Sequence, residues 1–247
     1  MNIQGPAKVP FLHPTLTPLY MRYFIACLFF IILCTWLTCG APSPHDAGLD
    51  EHTEIDDLGY RTEYTTDPGT GEREGMARRY GPDGKLVAEE NYLAGQLDGT
   101  RTAYYPDGSV EIVENYRAGQ FEGEYITYDS TGKLRLRGQY RDGSMGEVWT
   151  RYWPDGGVRE EVSFADNREN GPFRDWYENG QPSAAGSYRD GKEQGTLYVF
   201  DELTGELTAI RDCQVGVCTT QWRREEGTPA PSAAPDMTRP PAVNATN

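Results

Sequence analysis

The side chains able to do covalent or acid–base work are few in this chain and poorly grouped for it. The histidines are His13, His45 and His52, and none falls between residues 60 and 222. That stretch therefore has no serine–histidine or cysteine–histidine nucleophile, no histidine zinc ligand and not the commonest general base. Carboxylates are plentiful there: Glu89, Glu90, Glu111 and Glu114, with Asp83, Asp107 and Asp155 beside turn glycines. Paired carboxylates can run glycoside hydrolysis, and turn aspartates can lend oxygens to Ca²⁺. Both readings are weakened by recurrence, because a catalytic pair is unique and each of these turns offers too few oxygens alone. The glycines are spaced by turns and not gathered before a helix, so no phosphate-binding loop is read. The expectation is a non-enzyme with no catalytic residue, no metal and no cofactor.

Cysteine usage is more informative. Cys213 and Cys218 flank a turn around Gly216. In an oxidising compartment they can close a hairpin as a disulfide, with free thiols or a redox or metal pair as the other readings. Cys27 and Cys34 lie inside the uncharged apolar run of residues 23–37, which comes after Arg22 and precedes Cys39-Gly40-Ala41-Pro42-Ser43-Pro44. A basic flank, an apolar core and small residues read as a secretory signal, and about 15 apolar residues are short of the roughly 20 that a membrane span needs. Met21 sits directly before Arg22 and is the expected start, which would make residues 1–20 an over-extension. Cys39 ends the run and resembles a lipobox cysteine that becomes a lipidated N-terminus, although Trp36, Leu37 and Thr38 depart from the usual pattern. A signal-peptide cysteine and an uncleaved anchor are the alternatives. All three readings export the body of the protein, and the expected localisation is membrane-anchored, periplasmic or at the cell surface.

The elements that must hold the remaining residues are set by a repeat. Aromatic residues fall at Tyr80, Tyr104, Tyr128, Tyr152, Trp176 and Phe200, each 24 after the last. A second series falls at Tyr92, Tyr116, Tyr140, Phe164 and Tyr188 with the same spacing. Glycines recur at Gly84, Gly108, Gly132, Gly156 and Gly180; at Gly95, Gly119, Gly143 and Gly191, with Asn167 in the series; and at Gly75, Gly99, Gly123, Gly171 and Gly195, with Glu147 interrupting. Asn is the residue that next best tolerates a left-handed backbone. Each unit reads as a hairpin. Residues 100–105 form one strand, Pro106-Asp107-Gly108 a tight turn, and residues 109–116 the return, with Val110, Ile112 and Tyr116 on one face by period two. A lone hairpin is marginal in water, so neighbouring units must share an apolar face. At ~10 Å per unit, six units would span about 60 Å.

The segment Gly99-Thr100-Arg101-Thr102-Ala103-Tyr104-Tyr105-Pro106-Asp107-Gly108, with Tyr116-Arg117-Ala118-Gly119 and Gly123 after it, resembles the bacterial variant of the MORN (membrane occupation and recognition nexus) repeat. Tandem arrays of that variant define a YwqK-type family that carries an antitoxin label. The resemblance covers about residues 60–222. It implies an all-β fold, an elongated single-layer antiparallel array of β-hairpins. It also implies that the chain has no active site and binds proteins or lipids.

Composition agrees with a scaffold. The chain has 28 Gly, 17 Pro and 16 Tyr in 247 residues and is 37% hydrophobic, too little aliphatic core for an ordinary α/β enzyme. Its net charge of -15 repels phosphate backbones, so nucleic acid is excluded as a partner. The expected organisation is a targeting segment over residues 1–40, a flexible tether over 41–57, hairpin repeats over 58–222 and a disordered Pro/Ala-rich tail over 223–247. Asn244-Ala245-Thr246 in that tail is a glycosylation sequon without expected meaning. The two aromatic series are the expected repeat core. Tyr105, Trp153 and Tyr177 come directly after core aromatics and should face the other side, with Trp149 and Phe173 nearby. These five are the candidate binding surface, or else they fill out a thin core. The functional expectation is a scaffold for an unidentified protein partner, antitoxin-like or immunity-like if that partner is a toxin. The alternative is a module that binds carbohydrate or envelope polymer through exposed rings. Open sheet edges allow end-to-end pairing, and the oligomeric state is left open.

Overall fold

The computed structural model of the chain describes residues 48–225, 231 and 234–243. The apolar run, Cys27, Cys34, Cys39, His13, His45 and the sequon lie outside the described residues. Within them every regular element is a strand, eighteen in all. Each longer strand pairs antiparallel with the ones before and after it along the chain, which makes a single open up-and-down sheet. No second layer of strands or helices covers either face among the described residues.

Two turn types alternate along the sheet, and both arise from residue chemistry. At one end, Pro82-Asp83-Gly84 and its equivalents form a tight turn closed by a backbone bond, as from Gly84 N–H to the Gly81 carbonyl. The Asp carboxylate accepts the N–H two residues on, as Asp107 does from Ser109 at 2.9 Å. The glycine then takes positive φ, and the return strand carries a bulge, as at Glu111, where Ala103 pairs with Ile112 and Tyr104 with Val110. At the other end two successive residues have positive φ: Ala94 and Gly95, Ala118 and Gly119, Asp142 and Gly143, Asp166 and Asn167, Asp190 and Gly191, Val215 and Gly216. That is the two-residue hairpin turn whose twist suits the strands.

Units are tied together by bonds that also repeat. The N–H groups of Gly95, Gly119, Gly143, Gly191 and Gly216 donate to carbonyls of the preceding unit: Arg73, Leu97, Phe121, Glu169 and Glu193. Beside them, Glu74, Asp98 and Glu122 accept from the N–H of Ala94, Ala118 and Asp142. Asn91 and Asn115 reach across to the carbonyls of Thr100 and Glu124.

Two boundaries differ from the sequence reading. Asp50–Ile55, inside the expected tether, is a strand paired with Arg61–Thr66, and His52 stacks on Tyr64 there. The edge strand gains a partner this way, because unpaired backbone at a sheet edge is costly. At the other end, Val217–Arg223 closes the sheet. Residues 236–243, expected as disordered, are held against it: Trp176 Nε1 donates to the Met237 carbonyl at 3.0 Å, Arg239 Nε to the Val158 carbonyl at 2.9 Å, and Val243 N–H to the Gly156 carbonyl at 3.1 Å.

Candidate interaction surface

The register of the strands assigns residues to faces. Tyr92, Tyr116, Tyr140, Phe164 and Tyr188 share one face; Tyr92, Tyr116, Tyr140 and Tyr188 lie opposite Gly75, Gly99, Gly123 and Gly171, and Phe164 opposite Glu147. The same face carries a row that runs Ala77, Glu90, Arg101, Glu114, Tyr125, Gly138, Trp149, Val162, Phe173 and Gly186 across successive strands. We call it the ring face. Its rings touch in a continuous series. Tyr116 stacks on Phe121 at 4.6 Å, Phe121 on Tyr140 at 4.7 Å, Tyr140 meets Trp149 edge-on at 5.2 Å, and Trp149 meets Phe164 at 6.1 Å. A second cluster pairs Phe173 with Tyr188 at 4.6 Å. Offset and edge contacts of this kind add about 0.5–1.5 kcal/mol each beyond area burial.

Trp149 and Phe173 correct the sequence reading. Expected among exposed binding rings, they are 4% and 5% exposed and form the middle of the core row. The cause is the glycine opposite each. A Cβ on Gly138 would overlap the Trp149 indole, and one on Gly186 would lie 2.8 Å from the Phe173 ring. Each large ring therefore lies down over a bare backbone. Tyr105, Trp153 and Tyr177 are half-buried, and their polar ends are engaged. Tyr105 Oη donates to the Tyr128 carbonyl at 2.8 Å, Trp153 Nε1 to the Trp176 carbonyl at 2.9 Å and Tyr177 Oη to the Phe200 carbonyl at 3.4 Å. Each thus ties one unit to the carbonyl of the next core aromatic. Those aromatics, Tyr80, Tyr104, Tyr128, Tyr152, Trp176 and Phe200, lie near the tight-turn end, with Trp176 1% exposed.

The rings of the other series, Tyr92, Tyr116, Tyr140, Phe164 and Tyr188, are half-exposed, to the same degree as Tyr105, Trp153 and Tyr177, so of the five residues expected only Trp149 and Phe173 are removed from the accessible surface. Between Tyr125, Tyr140, Trp149 and Phe164 the ladder opens into a shallow cavity of about 190 Å³. Burial raises the Tyr116 hydroxyl to about 12, with Glu114 adding to the effect, and burial likewise raises Tyr188 to about 12. Both phenols therefore stay protonated at neutral pH. Tyr92 donates to Glu90 and Tyr116 to Glu114, two residues back on the same face.

Toward the N-terminal side the same row turns polar. Arg101 bridges Glu90 at 3.0 Å and Glu114 at 2.7 Å, and Glu114 is 8% exposed. A second acidic group lies further along: Asp175 faces Glu160 across the strands, its Oδ1 lacks a hydrogen-bond partner, and burial raises its pKa to about 7. Among the described residues no three His, Cys, Asp or Glu side chains cluster to hold a metal. Cys213 and Cys218 are opposite one another in the last hairpin and joined by a disulfide. Cys213 is 1% exposed and takes the ring-face place where a further aromatic would fall.

No curated protein matches the chain. A family model described as the MORN repeat variant matches residues 73–94, 97–118, 121–142 and 169–190. The hairpin between the third and fourth matches, Ser144–Tyr152 with Val158–Ala165, keeps the same pairing although Glu147 and Asn167 replace glycines there. Both residues hold the positive φ of the glycines they replace, 59° and 64°. Four hairpins of this open sheet are thus similar to MORN repeat variants, and the chain has the fold of a MORN-like β-hairpin array.

Proposed function

We propose that this chain is a non-catalytic scaffold that binds a protein partner across the ring face. The observation that supports it is the unbroken contact of rings from Tyr116 to Phe164 on a sheet face that nothing else covers among the described residues. Half-exposed aromatics on a rigid support supply contact area at low entropic cost, which is how interaction surfaces concentrate binding energy. The likeness to MORN repeat variants supports the same reading. A photo-crosslinking phenylalanine analogue placed at Phe164 should trap a protein in the native host. The same analogue at Val148, 51% exposed on the opposite face, should not. Equal trapping from both positions, or none from Phe164, would remove the ring face from consideration.

Export is part of the proposal and rests on residues 22–44. Cys39 is its lipid attachment point, which would place the sheet outside the cytoplasmic membrane. Metabolic labelling with an alkyne palmitate analogue should mark the chain, and Cys39→Ala should abolish the mark. Label that persists in the variant excludes this anchor. An immunity-like role against an envelope toxin is the narrower form of the scaffold reading and draws only on the family resemblance.

A further inference from the structure

Residues 236–243 sit where the repeat departs from itself. They run along the tight-turn end of two adjacent hairpins, on the face opposite the ring ladder. Pro235, Met237 and Arg239 are half-buried, while Asp236 and Thr238 between them are exposed, the alternation of an extended strand docked by one side. The Arg239 side chain lies against Gly157, where any Cβ would overlap its guanidinium. The equivalent places in the other units hold Lys85, Ser109, Lys133 and Gln181, so this hairpin alone leaves room. Trp176 is the single tryptophan in a series otherwise made of Tyr and Phe, and its indole N–H is the group that holds the Met237 carbonyl. A Cβ on Gly156 would lie 2.8 Å from the Val243 carbonyl oxygen, so this turn also receives the backbone closely.

From these departures we infer that Gly156, Gly157, Val158 and Trp176 form a recognition site for an extended peptide that carries an arginine followed by proline. The chain's own residues 236–243 are its resident ligand. Two of the three bonds, at Trp176 and Gly156, read the peptide backbone and so select an extended course. The third, from Arg239 Nε to the Val158 carbonyl, reads the side chain. Pro240 and Pro241 restrict the segment to that course before it docks, which lowers the entropy lost on binding. A partner segment of the same chemistry must displace the tail, which competes at the high effective concentration of a tethered ligand. The site is independent of the ring face and stands or falls without it.

The test uses the full chain and a fluorescein-labelled peptide of residues 236–243, DMTRPPAV, monitored by anisotropy. Arg239→Ala in the chain weakens its own tail and should open the groove, so the peptide binds this variant about tenfold more tightly than the unaltered chain. A peptide whose arginine is replaced by alanine should bind about tenfold less tightly than the parent peptide. Adding Gly157→Ala to the Arg239→Ala chain should weaken binding, since Gly157 has no left-handed φ and alanine alters only the space the guanidinium uses. Trp176→Phe keeps a ring and deletes the donor, and should cost about fivefold. Absence of saturable binding to the Arg239→Ala chain overturns the proposal. So does binding that ignores the peptide arginine, an arm that no folding defect in the chain can mimic.

Discussion

Asp175 is the residue whose chemistry departs furthest from its ordinary state. Its carboxyl lies across from Glu160 on the ring face, with Oδ1 unpartnered, and burial holds its pKa near 7. A group whose folded pKa lies above its unfolded value binds more protons in the folded state. Its contribution to stability is therefore full below pH ~4 and is lost as pH rises to about 7. Asp175→Asn keeps the shape and removes the charge. The variant should be more stable than the parent at pH 8, by up to a few kcal/mol. The two should converge near pH 4 in urea denaturation monitored by far-ultraviolet circular dichroism. If the gap stays constant from pH 4 to pH 8, Asp175 is ionised throughout and water reaches its carboxylate. The charged groups nearest it, Glu160 and the guanidiniums of Arg151 and Arg159, set how far the curve moves.

At the level of the hairpin, the glycines and rings were legible because each obeys a constraint that leaves a fixed interval in the sequence. Positive φ selects glycine, as at Gly84 and Gly108, and the tight turn selects the Asp before it. The acceptors that bind one unit to the next, Glu74, Asp98 and Glu122, recur at the same interval but were hidden, since an exposed acid at a turn looks like ordinary surface charge. The sequence also misplaced the exposed rings. Trp149 and Phe173 are buried because Gly138 and Gly186 lie opposite them, and which strand residue faces which glycine depends on register across bulges. Period two within a strand assigns a residue to a face but says nothing of what opposes it. Tyr105, Trp153 and Tyr177 were likewise assigned by face alone, while their bonds to the next unit depend on the distance between units. The tail escaped for a related reason. Its docking uses backbone groups, and the one side chain it needs, Arg239, pairs with a glycine whose signal is an absence of side chain.

For the sheet as a whole, the repeat predicts that stability is a sum over units and the contacts between neighbours. The repeated ties between hairpins each connect a residue to one about a unit away, so a whole unit can leave without severing a longer bond. Deleting residues 97–120, 24 in number, brings Phe121 to the place of Leu97 and Gly143 to that of Gly119. The bond that Gly119 makes to the Leu97 carbonyl is then replaced by the one Gly143 already makes to Phe121. Deleting residues 98–120 removes one residue fewer and moves the strand that begins at Gly123 by one place relative to the strand before the deletion. Because successive residues alternate faces, Tyr125 would then meet the wrong side of the preceding hairpin, while Trp149 keeps its own neighbours. The first deletion should leave a cooperative thermal transition within about 5 °C of the parent, while the second should lower it by more than about 10 °C or abolish it. Equal transitions in both would mean that the hairpins fold independently, and the shared ring face could not be what holds the sheet together.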